Sequence, residues 1–174
     1  MVEKASYELV RRIDDVEIRQ YDELILAVVE GYIGDTGFGL LFDYISGNNT
    51  SHEKISMTAP VIRSEKIPMT APVITKKNYM AFVLPSSYSL DTTPSPNNDT
   101  VRIKKKKKSV FAVLRFSGKV TEKQVEEYIH RLFLILQKEK IQIKDGPLLM
   151  RYNSPFAPGF IRRNEVAFEI DESQ

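Results

Sequence analysis

The chain contains one phrase twice, and this repeat constrains its fold more than any other feature. Residues 54–62 read KISMTAPVI and residues 66–74 read KIPMTAPVI, so the copies start twelve residues apart and differ at one position. Because side chains of a strand alternate with period two, an even spacing gives both copies the same face if both are extended. Residues 63–66 can close a turn between them. The repeat therefore predicts an extended, irregular hairpin with Met57 and Met69 on one side.

Length and composition predict one soluble domain with a sizeable core. The 174 residues include 25 basic and 23 acidic side chains, and this near-balance argues against a dedicated nucleic-acid binder. Cysteine is absent, which excludes disulfides, thiolate metal sites and a cysteine nucleophile. The first residues do not resemble a secretory signal, and no apolar run approaches about 18 residues. We therefore expect a cytoplasmic protein without a membrane span.

Alternating and β-branched runs predict the strands, and a capping box predicts the longer of two helices. Thr121 and Gln124 have the capping-box spacing, and an apolar face follows them to about Lys140. The predicted strands cover residues 7–13, 16–21, 24–33, 79–85, 101–108, 110–118, 148–152 and 164–170.

Helical spacing of apolar residues predicts a second, short helix over about 37–47. Its apolar stripe consists of Phe38, Leu41, Phe42 and Ile45. Thr36 is the predicted N-cap, and Gly47 with Asn48 the predicted end. Leu40 and Tyr44 lie off this main stripe. A helix this short has apolar surface left over, which predicts contact with a ligand or with a neighbouring element.

Two polar segments lie between the predicted strands of the middle of the chain. Residues 86–100 form a long loop with two prolines, and loops of this length in a compact domain are typically functional or mobile. The lysine run at 104–108 has two interpretations. It protects an exposed sheet edge from the addition of another strand, which we favour, or it contacts an anionic partner.

The two halves of the chain follow the same order of elements. The predicted order in each half, at about 7–85 and about 101–171, is strand, helix, strand, strand. A unit of this kind cannot cover its own sheet, so two units should pack together. We predict an α+β fold, with a distorted, mostly antiparallel β-barrel or curved sheet flanked by two main helices. A cleft between the halves is the expected ligand site.

The sequence lacks the familiar patterns of an active site. The segment GDTGFG lacks the lysine and the spacing of a phosphate-binding loop, and neither HExxH nor GxSxG occurs. Near the C-terminus, Glu165 follows Arg162 and Arg163, which favours a buried structural ion pair over a catalytic carboxylate. We therefore expect a protein that is not an enzyme.

Imidazole and thioether groups are both possible ligands to an iron centre. His130 lies beside the apolar face of the longer helix, so we interpret it as a partly exposed helical residue. His52 is the better candidate, because it lies between the short helix and the first copy of the doubled phrase, although a plain loop position also explains it. Met57 and Met69 are further candidates, but methionine more often fills gaps in a core.

In combination, these motifs resemble the SOUL haem-binding protein family. The resemblance extends over about residues 5–171 and implies two similar halves in a distorted barrel with two flanking helices. The runs that carry it, in order, are GFGLLFDYISGNN, KISMTAPVI, KIPMTAPVI, FVLPSSYSL, VRI, VFAVLRFSG and YNSPFAPGFIRRNEV.

The resemblance also implies a ligand and a site. The ligand would be haem or another porphyrin, held in an apolar groove beside the short helix and the loop that follows it. The groove residues implied for this chain are Phe38, Leu41, Phe42, Ile45 and Met57. Lys54 or Arg63 would pair with the haem propionates. His52 would be the candidate axial ligand, although members of the family share no single obligatory ligand to the iron.

Three functional hypotheses follow. The first is a soluble carrier, buffer or sensor of haem or another tetrapyrrole, without turnover. The second is a small-molecule effector-binding module of the gyrase-inhibitor-like type that acts through a protein partner; a buried carboxylate at the floor of the cleft would favour it. The third is an enzyme acting on tetrapyrroles or another bulky apolar substrate. We favour the first, and the sequence identifies no protein partner.

Overall fold

The structure, a computed structural model, describes residues 2–32, 34–52, 64–153 and 156–171. Neither described α-helix is long and apolar enough to cross a membrane. The helices are α1 (Gly34–Ile45) and α2 (Glu122–Lys138), and a 3-10 turn covers Gly159–Ile161. The strands are β1 (Glu3–Lys4), β2 (Tyr7–Ile13), β3 (Val16–Tyr21), β4 (Leu24–Glu30), β5 (Asn49–Thr50), β6 (Thr70–Ala71), β7 (Val73–Lys76), β8 (Tyr79–Val83), β9 (Ser95–Pro96), β10 (Arg102–Lys106), β11 (Ser109–Ser117), β12 (Gln142–Arg151) and β13 (Arg163–Asp171).

Nine of these strands form one antiparallel sheet that curls into a half-barrel. Their order across the sheet is β10, β4, β8, β7, β12, β13, β11, β3, β2. Two short pairs lie beside it, with β1 parallel to β6 and β5 antiparallel to β9. The predicted α+β fold, with a curved antiparallel sheet and two main helices, is confirmed.

The order of the strands is similar on the two sides of the β7–β12 pair, except that β2 adds a fifth strand to one side. On one side β8 lies between β7 and β4, and on the other side β13 lies between β12 and β11. At the outer positions, β10 pairs with β4 and β3 pairs with β11, so each edge takes a strand from the other half of the chain. A repeat of the whole halves, at about 7–85 and 101–171, stays a prediction.

Both helices pack on one face of the sheet, which we call the helix face. Leu41 of α1 packs with Ile25 and Phe82 of the sheet, and Leu132 of α2 packs with a second cluster that includes Ile18. The two clusters lie side by side on this face. Leu149 packs beneath α2, and its partner Thr75 is on the same face of β7 as Val73, which packs in the α1 cluster. The opposite face forms the inside of the half-barrel and is called the inner face.

Helix α1 begins earlier than predicted. The apolar spacing predicted residues 37–47 with Thr36 as N-cap, whereas the helix covers Gly34–Ile45. Gly34 has a φ of 65°, which glycine adopts without steric cost, so the chain can turn directly into the helix there. Thr36 consequently lies inside the first turn. The predicted end is close to the observed one, and Gly47 has a φ of 125°.

Tyr44 was predicted off the apolar stripe of α1, but it is buried. Its side chain follows Leu41 by three residues and therefore belongs to the same helical face. The Tyr44 hydroxyl donates a hydrogen bond of 2.7 Å to the carbonyl oxygen of Pro94, and burial raises the pKa of this hydroxyl. The β5–β9 pair adds a second connection. The polar loop at 86–100 is therefore attached to the C-terminal end of α1.

Helix α2 begins with the predicted capping box. The backbone N–H of Gln124 donates to Thr121 Oγ1 over 3.2 Å, and the backbone N–H of Thr121 donates to Gln124 Oε1 over 3.3 Å. The helix ends at Lys138, shortly before the predicted end. Leu132 and Leu136 are fully buried, which confirms the predicted apolar face.

The lysine run lies on an edge of the sheet, as we favoured. Strand β10 is the first strand in the sheet order, and its lysines form ion pairs with acidic residues of the sheet or its connections. These pairs are Lys104–Glu30 at 2.7 Å, Lys105–Glu23 at 3.1 Å and Lys106–Glu169 at 2.7 Å. These three charges therefore have partners within this chain.

Strand β12 is longer than predicted, because its alternation is interrupted. The sequence predicted a strand only at 148–152, whereas β12 covers Gln142–Arg151. The register with β13 shifts between Ile143 and Leu148, and Gly146 within that stretch has a φ of 117°. A shift of register breaks the period of two that identifies a strand from sequence.

The second copy of the doubled phrase includes β6 and the start of β7. Ile67 is buried in the core cluster beneath α1, and Met69 and Val73 pack against that cluster. The first copy, at 54–62, lies outside the described residues, as does residue 63 at the start of the predicted turn. The predicted hairpin between the two copies is therefore not described by the structure.

Candidate functional site

A cleft of about 290 Å³ lies on the helix face, between the start of α1 and the second half of the sheet. Its apolar walls come from Phe38 of α1, Val73 of β7, Met80 of β8 and Val120 before α2. Alternation along β7 and β8 turns Val73 and Met80 toward the helix face, while the intervening residues point to the inner face. The cleft therefore joins elements from both halves of the chain.

Two aromatic rings of α1 extend from this cleft to the surface. The rings of Phe38 and Phe42 are stacked, with centroids 6.0 Å apart and planes 13° apart. Phe38 also meets Phe82 edge to face at 5.2 Å, which fixes its ring against the core. Phe42 remains 49% exposed. This pair presents a flat aromatic surface on which a planar apolar ligand can stack.

Basic side chains line the opposite side of the cleft. Lys119, Arg151 and Arg162 are lining residues, together with the amides of Asn153 and Asn164. Asp35 is the one acidic side chain among the described lining residues. An excess of positive charge beside an apolar surface suits an apolar ligand that carries carboxylates, because guanidinium groups bind carboxylates with strong, directed hydrogen bonds.

Hydrogen bonds within the protein hold this basic side in place. Arg162 Nε donates to the carbonyl oxygen of Ala157 over 2.8 Å, and Arg151 Nη2 donates to Thr75 Oγ1 over 3.4 Å. Asn164 Nδ2 donates to the carbonyl oxygen of Gly118 over 3.0 Å, which connects β13 to the segment that carries Lys119. The guanidinium groups are thus positioned from the end of β12 and from the segment just before β13.

The predicted groove residues separate into two groups. Phe38 lines the cleft and Phe42 stacks beside it. Leu41 is fully buried and Ile45 is 5% exposed, and both belong to the core cluster between α1 and the sheet. The other predicted contacts, Met57, Lys54 and Arg63, lie outside the described residues.

The histidines lie away from the described lining of the cleft. His52 is exposed, and its Nε2 lies 2.6 Å from Ser95 Oγ, next to the β5–β9 pair. His130 is exposed on the outer side of α2, as predicted. Met80 is the only thioether or imidazole side chain among the described lining residues. Within the described ranges, no group of three or more His, Asp or Glu residues could hold a metal ion.

Glu165 forms the buried structural ion pair that the sequence predicted. Its two oxygens accept hydrogen bonds from Arg19 Nη1 at 2.9 Å and Arg19 Nη2 at 2.6 Å, and Arg163 Nη2 donates a third at 3.1 Å. The side chain is fully buried. Burial alone would raise the pKa of Glu165, but the hydrogen bonds and charge of Arg19 lower it overall.

Two tyrosines complete this buried cluster on the inner face. Arg19 Nη1 donates to the Tyr21 hydroxyl over 2.9 Å, and burial raises the pKa of both Tyr21 and Tyr152. Because both oxygens of Glu165 are already bound by arginine, this carboxylate is not free to receive a cationic ligand. The effector-binding hypothesis therefore gains no support from it.

The sequence did not identify the basic side of the cleft. Arg162 and Arg163 are neighbours, yet the first lines the cleft and the second binds Glu165. Alternation along a strand signals that such neighbours face opposite ways. That Arg151 lies beside the apolar wall of the cleft follows only from the pairing of β7 with β12, which places Arg151 opposite Val73.

Comparison with known proteins gives a family match and a shared fold. The family model described as SOUL heme-binding protein matches residues 2–169. No curated protein matched the sequence.

Two solved structures resemble the fold. The crystal structure of a hydrolase from Listeria innocua has a TM-score of 0.56 at 8% identity, over 93% of this chain and 94% of that one. The crystal structure of the EcmrR C-terminal domain has a TM-score of 0.51 at 8% identity, over 95% of this chain and 98% of that one. At this identity the likeness shows the fold alone.

Proposed function

This chain belongs to the SOUL heme-binding protein family, and on that basis we propose that it binds haem or a related porphyrin, without turnover, as a carrier, buffer or sensor. The observation that carries the choice of site is the stacked pair of Phe38 and Phe42 at the mouth of an apolar cleft with a basic rim. A tetrapyrrole combines a flat apolar ring with carboxylates at one edge. Those are the two chemical features that this cleft complements.

The described residues fit the ring and its propionates. Phe38, Phe42 and Val73 would contact the ring, and Arg151 and Arg162 would bind the propionates. The iron of a bound haem would supply an open coordination position, for which the described lining offers only the buried thioether of Met80. We therefore propose that apolar contact and charge pairing supply most of the affinity. A metal-free porphyrin should then bind nearly as well as haem.

Titrating hemin into the purified protein should give a saturable shift of the Soret band at micromolar concentrations. Replacing Phe38 by alanine should weaken binding about 10-fold to 100-fold, because a buried aromatic contact is worth about 1.5–3 kcal/mol. Phe133→Ala is the matched control, since this phenylalanine is 42% exposed on α2, away from the cleft. Its hemin affinity should equal that of the unchanged protein.

Two results would contradict this proposal. One is the absence of any saturable shift, and the other is equal weakening by Phe38→Ala and Phe133→Ala. Protoporphyrin IX, titrated in parallel by fluorescence, separates ring binding from iron ligation. His52→Ala should leave the hemin affinity unchanged; a large loss in that variant, together with weak binding of the metal-free ring, would instead assign the affinity to axial ligation by His52.

Reversing the charge of Arg151 should also weaken hemin binding. We expect Arg151→Glu to reduce affinity about tenfold in low salt, because it replaces a charge-assisted hydrogen bond with repulsion of the propionates. The difference should shrink at about 1 M salt, where charges are screened within about 3 Å. Lys108→Glu, at an exposed position just after β10, is the control of equal charge change. Equal effects of the two substitutions would show that only net charge matters.

A further inference from the structure

A second cavity, of about 130 Å³, lies on the inner face of the half-barrel, away from the cleft. Strands β7 and β8 separate the two sites, since Val73 and Met80 line the cleft while their neighbours Ile74 and Tyr79 line this inner cavity. Its apolar lining includes Tyr21, Leu26, Val83, Phe111, Leu148 and Met150. The proposed tetrapyrrole site does not use any of these side chains.

The charged groups around the inner cavity are paired with one another. Lys76 Nζ lies 2.8 Å from Asp145 Oδ2, and Lys106 Nζ lies 2.7 Å from Glu169 Oε2. Each lysine also lies over an aromatic ring, Lys76 at 5.7 Å from the Tyr79 centroid and Lys106 at 5.9 Å from the Phe111 centroid. The lining thus holds two acidic and two basic groups, all of them paired, and Lys144 outside the lining makes a longer contact of 3.8 Å to Glu169 Oε1.

The walls of the inner cavity suit an aromatic ring. Tyr21 and Phe111 meet edge to face, with centroids 5.7 Å apart and planes 88° apart, and the thioether of Met150 lies in the same lining. Rings and sulfur atoms both make favourable contacts with a further aromatic ring. The volume is close to that of an engineered apolar cavity of about 150 Å³ in another protein, which stays dry and binds benzene.

Access to the inner cavity runs past half-exposed side chains. The side chains of Lys76 and Asp145 are 35% and 50% exposed, so their ion pair lies at the opening. A charged ligand entering here would lose its hydration without gaining an unpaired partner, which is costly. A neutral ligand avoids that cost.

We propose that the inner cavity is a second binding site, separate from the cleft, for a small neutral aromatic molecule of one ring. Its ring lies against Phe111, Tyr21 and Met150, and its polar substituent points to the opening beside Tyr79. The proposal does not depend on tetrapyrrole binding, because the two sites lie on opposite faces of the sheet.

Three probes with the same ring and different charge test this proposal: benzyl alcohol, benzoate and benzylammonium. Binding is followed by NMR of protein labelled at the methionine methyl groups. Benzyl alcohol should shift the Met150 methyl signal in a saturable way and leave that of Met80, on the other face, unchanged. Benzoate and benzylammonium should bind at least about tenfold more weakly, because burying either charge is costly.

Two variants that fill the inner cavity localise the binding. Leu24→Trp, at the half-buried start of β4, and Leu148→Phe, on β12, should each weaken benzyl alcohol binding at least about tenfold by occupying its space. Leu9→Trp is the control, since this side chain is 42% exposed on β2. Using two filling variants keeps the test decisive if one of them fails to fold.

The proposal is overturned if benzyl alcohol gives no saturable shift, if all three probes bind equally, or if both folded filling variants bind as well as the control. A hemin titration of the same samples separates the two sites. If the unchanged protein binds benzyl alcohol but not hemin, the proposed function alone is contradicted. If it binds hemin but not benzyl alcohol, this proposal alone is contradicted.

Discussion

Replacing Glu165 by leucine should lower the free energy of unfolding by about 3–5 kcal/mol, which is the usual cost of removing one partner from a buried ion pair. The substitution leaves Arg19, which is 2% exposed, without the carboxylate that binds two of its guanidinium nitrogens. Arg163 loses a partner as well. The guanidinium of Arg19 would then stay buried with less compensation or move out and disrupt β3. Urea unfolding measured at pH 7 gives the difference.

Three further variants show whether the loss arises from the uncompensated charge: Arg19→Met alone, Arg19→Met with Glu165→Leu, and Glu30→Leu. Arg19→Met combined with Glu165→Leu should be less destabilised than the sum of the two single changes, because it removes both charges. Glu30→Leu is the control, since Glu30 forms an ion pair with Lys104 at an exposed edge and such pairs contribute little. A loss for Glu165→Leu no larger than that of the control would contradict the account.

The same carboxylate contributes to the pH dependence of stability. The pKa of Glu165 is lower in the folded state than its ordinary value of about 4.3. A group with a lowered folded pKa stabilises the protein above its unfolded pKa, and that contribution is lost as the pH falls through the folded pKa. The unchanged protein should therefore lose stability below about pH 4. Glu165→Leu should lose less over that range, and an identical acid slope would contradict the assignment.

Leu41→Ala should destabilise the protein by about 2–5 kcal/mol while leaving hemin affinity unchanged in the folded protein. Leu41 is fully buried between α1 and the sheet, so truncation leaves a cavity in the core. Its neighbour Phe42 is 49% exposed and stacks on Phe38 beside the cleft. Phe42→Ala should therefore have the opposite effect, a small change in stability and weaker hemin binding.

The measurement for this pair combines urea unfolding with hemin titration under conditions where each variant is folded. If Leu41→Ala weakens hemin binding as much as Phe42→Ala does, then Leu41 belongs to the wall of the ligand site, and the division of α1 between core and cleft is wrong. A stability loss of similar size in both variants would also contradict that division.

Local patterns in the sequence predicted most of the secondary structure. Alternation identified β3, and the spacing of Thr121 and Gln124 identified the start of α2 with its actual hydrogen bonds. These signals work because each depends only on residues that are close together in the sequence. Where the local pattern was interrupted, as in β12 around Gly146, the prediction stopped short.

The candidate site was predictable only in part. Helical spacing placed four apolar residues on one stripe of α1, but a stripe wide enough to contact both the sheet and a ligand does not reveal which residue does which. Leu41 and Ile45 pack in the core, whereas Phe38 lines the cleft and Phe42 stacks on it at the mouth of the cleft. Packing against the sheet made that division, and packing involves residues distant in sequence.

By itself, the sequence determined the family, the fold class and the buried pairing of Glu165. The doubled phrase contributed mainly as an identifier, together with the motifs around it. Only the tertiary structure decided that Arg151 lies opposite Val73, that Arg162 and Arg163 serve different faces, and that an inner cavity exists at all. The physical reason is that strand pairing sets which distant side chains meet, and the curl of the sheet sets how much space lies between them.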